Sequence, residues 1–260
     1  MEELQFIVEN IEVYVLVFAR IAGILLMNPI ISKANIPAMV RMALVLCISL
    51  LITPAIKIPA DFEAGTFDFL LGFGKEIAIG FLLGYVFNIF YYMLMTAGDI
   101  LDTNFGFAMA KMFDPATNIQ SAVTSHLLHL LFVLYFFVTD SHLTLMSVAI
   151  SSFDILPIGL EGFALDSAAA FAIDLFGSVF ALAMKLAFPF IAAEFILEVS
   201  MGILMKLIPQ IHIFVIDFQL KILLAIVLLF ILAAPIGAFI DNYTIKLFDE
   251  MKNALYSLRA

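Results

Sequence analysis

The sequence predicts an all-α, multi-pass integral membrane protein with kinked and half-spanning helical hairpins, and three observations carry that reading. Hydrophobic residues fill 64% of the 260 positions and charged residues only 13%, against about 45–50% and about 25% in a soluble domain. Runs free of Asp, Glu, Lys and Arg reach the length that a hydrocarbon core of about 30 Å requires. Prolines stand in or beside these runs, at Pro29, Pro54, Pro189, Pro209 and Pro235. Each removes a backbone donor and kinks or ends a helix, and in lipid the freed groups need protein or a wet cavity beside them.

The first apolar segment, 13–32, contains Arg20. It follows Glu2, Glu3, Glu9 and Glu12 with no base among them, unlike a cleavable signal peptide, so it is expected to stay as a helix. Segment 42–56 holds the single Cys47, which excludes an internal disulfide and fits packing or a lipid-facing position. Segment 77–98, 22 residues long, is a clear span, and its Gly80 and Gly84 form a GxxxG that lets another helix approach closely. Segment 122–139 is a further span, and the mixed region 143–165 reads as a short hairpin or surface helix. Segment 168–193 is interrupted by Asp174 and Lys185, and 195–216 by Glu198, Lys206 and Pro209. The other clear span is 222–240, 19 residues long. In the amphipathic tail, 241–260, helical spacing puts Ile245, Phe248, Met251 and Leu255 on one face. Acids without bases at the N-terminus and at 140–166 face away from the cytoplasm, whereas Lys33 and Arg41, and later Lys246, Lys252 and Arg259, mark cytoplasmic segments. Six crossings would put both ends on one side, so either one segment fails to cross or the charge rule fails.

A net charge of −10 argues against nucleic acid as a partner. No HExxH, GxSxG, phosphate loop or Cys pair is present, and no enzyme activity or cofactor is implied. His126 and His129 are three apart but have no carboxylate between them, so they read as polar residues inside a bundle. Ionisable residues within apolar segments cost about 2.5–3.5 kcal/mol each in lipid and face a cavity or a partner. They are Arg20, Lys75, Glu76, Asp174, Lys185, Glu194, Glu198, Lys206, Asp217 and Lys221. Asp217 and Lys221 are four apart, acid first, which favours a pair on one helix face. Glu194 and Glu198 are also four apart and need a base or water opposite them. Two readings stand for these charges: a proton or substrate path, or salt bridges near the membrane surface.

The stretch 98–119, GDILDTNFGFAMAKMFDPATNI, lies between two spans and is polar at its ends but apolar in the middle. Phe105, Met109, Met112 and Phe113 follow helical spacing, Pro115 stops a helix, and Gly98 and Gly106 are expected to bend the chain. Methionine beside phenylalanine makes a deformable apolar surface, which suits either a loop that closes a pore or an interfacial helix.

GFAMAKMFDP at 106–115 resembles the signature of the FliR/SctT family, membrane components of the type III protein-export apparatus. Four more segments resemble the family in order and spacing: ARIAGILLMNPIIS at 19–32, IPAMVRMALVL at 36–46, SHLTLMSVAISSFDILPIG at 141–159 and MGILMKLIPQIHIFVIDFQLKILLAIVLL at 201–229. The chain departs from the family at Asp140-Ser141, where Asn-Gly is frequent, and at His212, where Asn is common. Its Met-Phe-Asp-Pro form is closer to the flagellar branch.

The resemblance implies a subunit that joins FliP and FliQ, with FlhB and FlhA, in a protein-conducting gate for unfolded flagellar substrates. The gate stands at the basal body in the inner membrane. It implies a FliP-like region at 1–167, a FliQ-like hairpin at 168–260, and a plug formed by Phe105, Gly106, Phe107, Met109, Met112, Phe113, Asp114 and Pro115. A secondary transporter working through intramembrane charges is the alternative. That class often shows internal repeats, and no repeat joins the two halves here.

Overall fold

The computed structural model describes residues 11–33, 36–56, 66–107, 122–158, 165–208 and 213–259. Nine α-helices are found among them, with no strand: α1 (Ile11–Leu26), α2 (Pro29–Lys33), α3 (Ala38–Ile52), α4 (Thr66–Asn104), α5 (Val123–Val138), α6 (Ser141–Ile155), α7 (Leu165–Leu207), α8 (Ile213–Ile231) and α9 (Ala233–Leu258). Three segments among the described residues are long and apolar enough to cross a membrane: Ala38–Ala55, Thr66–Asn104 and Ser167–Leu207. The count rises to five if the broken pairs α5/α6 and α8/α9 are each one span.

Contacts divide the chain into two compact units. The first is Met1–Tyr91, Thr139–Phe176 and Thr244–Ala260; the second is Tyr92–Val138 and Gly177–Tyr243. In the first unit α1 lies directly against α4. A Cβ on Gly80 would run into the backbone of Arg20, and one on Gly84 would meet Gly23 O and Met27. The two helices therefore touch through glycines, as GxxxG packing requires. Asn88 Nδ2 donates to Met27 O at 2.9 Å, satisfying a carbonyl that the end of α1 leaves open. Asn28 then starts α2: its Oδ1 accepts from Ile30 N at 2.9 Å, with Pro29 at the first helical position. Asp140, at φ 54°, makes the turn into α6. Asp and Asn tolerate that left-handed conformation better than most side chains.

The structure departs from the sequence reading at four places. Residues 168–193 and 195–216 do not form two segments: α7 runs unbroken from Leu165 to Leu207 with Pro189 inside it. One proline removes a single backbone bond, which a long packed helix absorbs. The span expected at 222–240 is instead broken at Leu232, where the chain turns by 63°. Pro235 offers no N–H to the Ile231 carbonyl, which places the break there. Gly98 does not bend the chain but lies inside α4. The tail buries Phe248, Met251 and Leu255 as expected, but with Leu247, Ala254 and Leu258 rather than Ile245, which is 55% exposed.

Candidate functional site

The residues that close α4 are packed in the second unit. Phe105, fully buried, ends the helix with its ring 5.8 Å from that of Phe190 and 6.0 Å from that of Phe107, edge to face in both cases. Gly106 turns the chain at φ +74°, and a Cβ there would touch the Phe218 ring at 3.4 Å. Positive φ and close contact together select glycine at this position. Phe105, Gly106 and Phe107 are thus gathered against α7 and α8. Met109, Met112, Phe113, Asp114 and Pro115 lie outside the described residues.

The start of α5 is fixed to α4 by two acids. Asp102 Oδ1 accepts from Thr124 N at 2.9 Å, in the first turn of α5. Ser125 Oγ lies 2.7 Å from both Met95 O and Asp99 Oδ1. The opening turn of a helix has free N–H groups and a positive dipole end, so a buried carboxylate there is stabilising. Gly98 permits this approach, since a Cβ on it would overlap the Ser125 backbone. Asp99, Asp102 and Ser125 were not singled out from sequence. The available signal was two acids three apart, hence on one helical face, shortly before a new helix.

Lys221 gathers three acids in the second unit. Its Nζ stands 3.0 Å from Glu194 Oε1, 3.5 Å from Glu198 Oε1 and 3.8 Å from Asp217 Oδ2. The base that Glu194 and Glu198 need is therefore supplied by α8. Asp217, the expected partner within the helix, is the most distant of the three. Glu194 is almost wholly buried, whereas Glu198 is exposed. Lys206 stands exposed near the end of α7.

The first unit holds the other buried charge. Arg20 and Glu76 have no exposed side-chain surface, and Arg20 Nε donates to Glu76 Oε2. Arg20 Nη1 donates to Ser152 O at 2.8 Å, and Nη2 to Leu156 O at 2.9 Å. The guanidinium lies 4.0 Å above the centre of the Phe153 ring. Ser152 O already accepts from Leu156 N at 3.0 Å and takes Arg20 as a second donor, whereas Pro157 cannot continue α6 and leaves the Leu156 carbonyl open at the negative end of that helix, where a cation is the fitting cap. Arg20 therefore meets Ser152, Phe153 and Leu156, 132 to 136 residues further on. The rings of His126 and His129 stand 6.1 Å apart, and no group of three or more His, Cys, Asp or Glu among the described residues could hold a metal.

The family model described as bacterial export proteins, family 1, matches residues 11–247. The flagellar biosynthetic protein FliR of Escherichia coli is 32% identical over 91% of this chain and 88% of its own length. FliR of Bacillus subtilis is 25% identical over 96% of each chain. The Yop proteins translocation protein T of Yersinia pestis is 28% identical over 84% of each. The match spans Arg20, Glu76, both ends of the loop and the Lys221 cluster, and the chain belongs to the bacterial export proteins, family 1, the family of FliR.

Proposed function

We propose that the chain is a membrane subunit of a flagellar type III export gate, joined to FliP and FliQ around a channel for unfolded substrates. FlhB and FlhA are its further neighbours, at the basal body in the bacterial inner membrane. One observation carries the reading: similarity to export proteins extends over residues 11–247, and relatives named for flagellar biosynthesis and for Yop translocation both match along most of their length. The helices long enough to cross a membrane support the location. The work is passage and closure, not turnover. Residues 1–167 take the FliP-like part in this proposal and 168–260 the FliQ-like part.

The loop at 105–115 helps to close the lumen. Support for this comes from how its ends are held: Phe105 and Gly106 against Phe190 and Phe218, and the start of α5 against Asp99 and Asp102. A plug must stay in place against thermal motion, and anchoring at both ends provides this without linking it to movement of the whole bundle.

The test is a native mass of the full chain co-expressed with FliP and FliQ and gently solubilised. A large mixed complex is the expected result, and a monodisperse chain that ignores both partners would overturn the gate. In the assembled complex, deletion of 106–112 should raise the ion leak of membranes at least several-fold. Unchanged permeability of a complex shown to be intact would remove the plug role and leave the subunit role standing.

A further inference from the structure

Of the three unbroken segments apolar enough to cross a membrane, Ala38–Ala55 is the least covered. Only 22% of it is buried inside the protein, against 67% in α4 and 33% in α7. Along α3 only Val45, Ser49 and Ile52 are buried, one stripe at helical spacing. Every exposed residue from 42 to 51 is Met, Ala, Leu or Cys. The polar side chains on the buried stripe close on their own backbone. Ser49 Oγ donates to Val45 O, and Thr53 Oγ1, just after the helix, donates to Ser49 O, both at 2.7 Å. After Arg41, therefore, no side chain of α3 asks a neighbouring protein for a hydrogen bond.

Arg41 is different. It is half-buried at the head of the apolar run. A guanidinium carries five N–H donors. Here Nη1 makes one long bond, 3.4 Å to Ser32 O, and the buried Nε makes none. Among the described residues no acid pairs with Arg41, and the sequence holds no acid between Glu12 and Asp61. The planar fork of a guanidinium matches the oxygens of a phosphate. The ten residues that follow, 42–51, rise about 15 Å, half of a hydrocarbon core of about 30 Å. That is the depth of one acyl chain.

We propose that the open side of α3 is a docking surface for an anionic phospholipid, with the phosphate on the Arg41 guanidinium and the acyl chains along residues 42–51. The charges are complementary at one end, and the apolar length matches at the other. A second protein helix would find no polar group after Arg41 to fix its register, whereas an acyl chain needs none. Both features lie within α3, so the surface stands whether or not the chain is part of a gate.

The chain contains no tryptophan, so Leu46→Trp, at an exposed position of α3, supplies a single fluorescent reporter. The full chain with this substitution is co-expressed with FliP and FliQ, purified with whatever it retains, and placed in bilayers. These contain either brominated phosphatidylglycerol or brominated phosphatidylcholine. The anionic lipid should quench the emission at about five-fold lower mole fraction, the preference that one base gives near an anionic headgroup. In Arg41→Gln the two lipids should quench alike. Equal quenching with Arg41 in place would mean an ordinary lipid boundary and would overturn the site, as would a preference that survives Arg41→Gln. Absence of quenching by either lipid would mean that protein covers α3, which overturns it too. Should Arg41→Gln fail to accumulate, the comparison of the two lipids with Arg41 in place decides.

Discussion

Arg20 and Lys221 each meet acids on apolar helices, one in each unit, and their surroundings differ in almost every respect. Arg20 is dry. It has one acid, two backbone carbonyls and an aromatic face, so its charge and its donors are answered together. Lys221 is partly exposed and faces three acids, of which only Glu194 is deeply buried. The first arrangement is a closed clasp between helix ends; the second carries surplus negative charge at a rim reached by solvent. A buried charge left alone is far costlier than an exposed one, so the two bases should not respond alike to the same substitution.

The largest effect is expected for Arg20→Met, which strands Glu76 and the Leu156 carbonyl: a loss of about 3–5 kcal/mol. It should be read as a collapse of purified yield and a fall in the thermal midpoint in detergent. Survival at the parent's midpoint would mean that the clasp is idle. Adding Glu76→Leu to that variant should restore part of the loss but not all, since the Leu156 carbonyl stays uncapped. Full recovery would assign the whole effect to the ion pair. Lys221→Met comes next, at about 1–3 kcal/mol, because Glu194 is left buried without its base. A drop as large as that of Arg20→Met would erase the contrast between the two sites. The smallest change belongs to Glu198→Gln, within about 0.5 kcal/mol, since that side chain is exposed. The same melting curves check it, and a shift beyond that range would show that Glu198 is covered in the assembled protein.

Much of the helical plan was legible because long apolar runs constrain the backbone strongly. The value of Gly80 and Gly84 was legible too, but not the helix they serve. Periodicity and charge locate Arg20 as a residue that needs partners, yet nothing local names Ser152, Phe153 or Leu156, which come from a distant helix end. Each proline was read as kinking or ending a helix: the chain does turn just before Pro235, whereas α7 runs on through Pro189. The cost of a proline depends on what packs around the open carbonyl, and that is a tertiary quantity. The two ends of the loop show the same limit. Phe105 and Gly106 were visible as a motif, whereas Asp99 and Asp102 looked like mere polarity until α5 was seen to begin beside them.

The clasp on α1 also has a timetable. Glu76 lies 56 residues after Arg20, while Ser152 and Leu156 lie 132 and 136 after it. At about 5–20 residues per second of synthesis, the last partners emerge on the order of ten seconds after the arginine. Throughout that interval α1 is an apolar helix with an incompletely answered guanidinium, which snorkelling toward the headgroups can shelter. An early helix is therefore among the last to be locked, and a ribosome stalled before Ser152 leaves a membrane segment that the insertion and quality-control machinery meets with its charge still open.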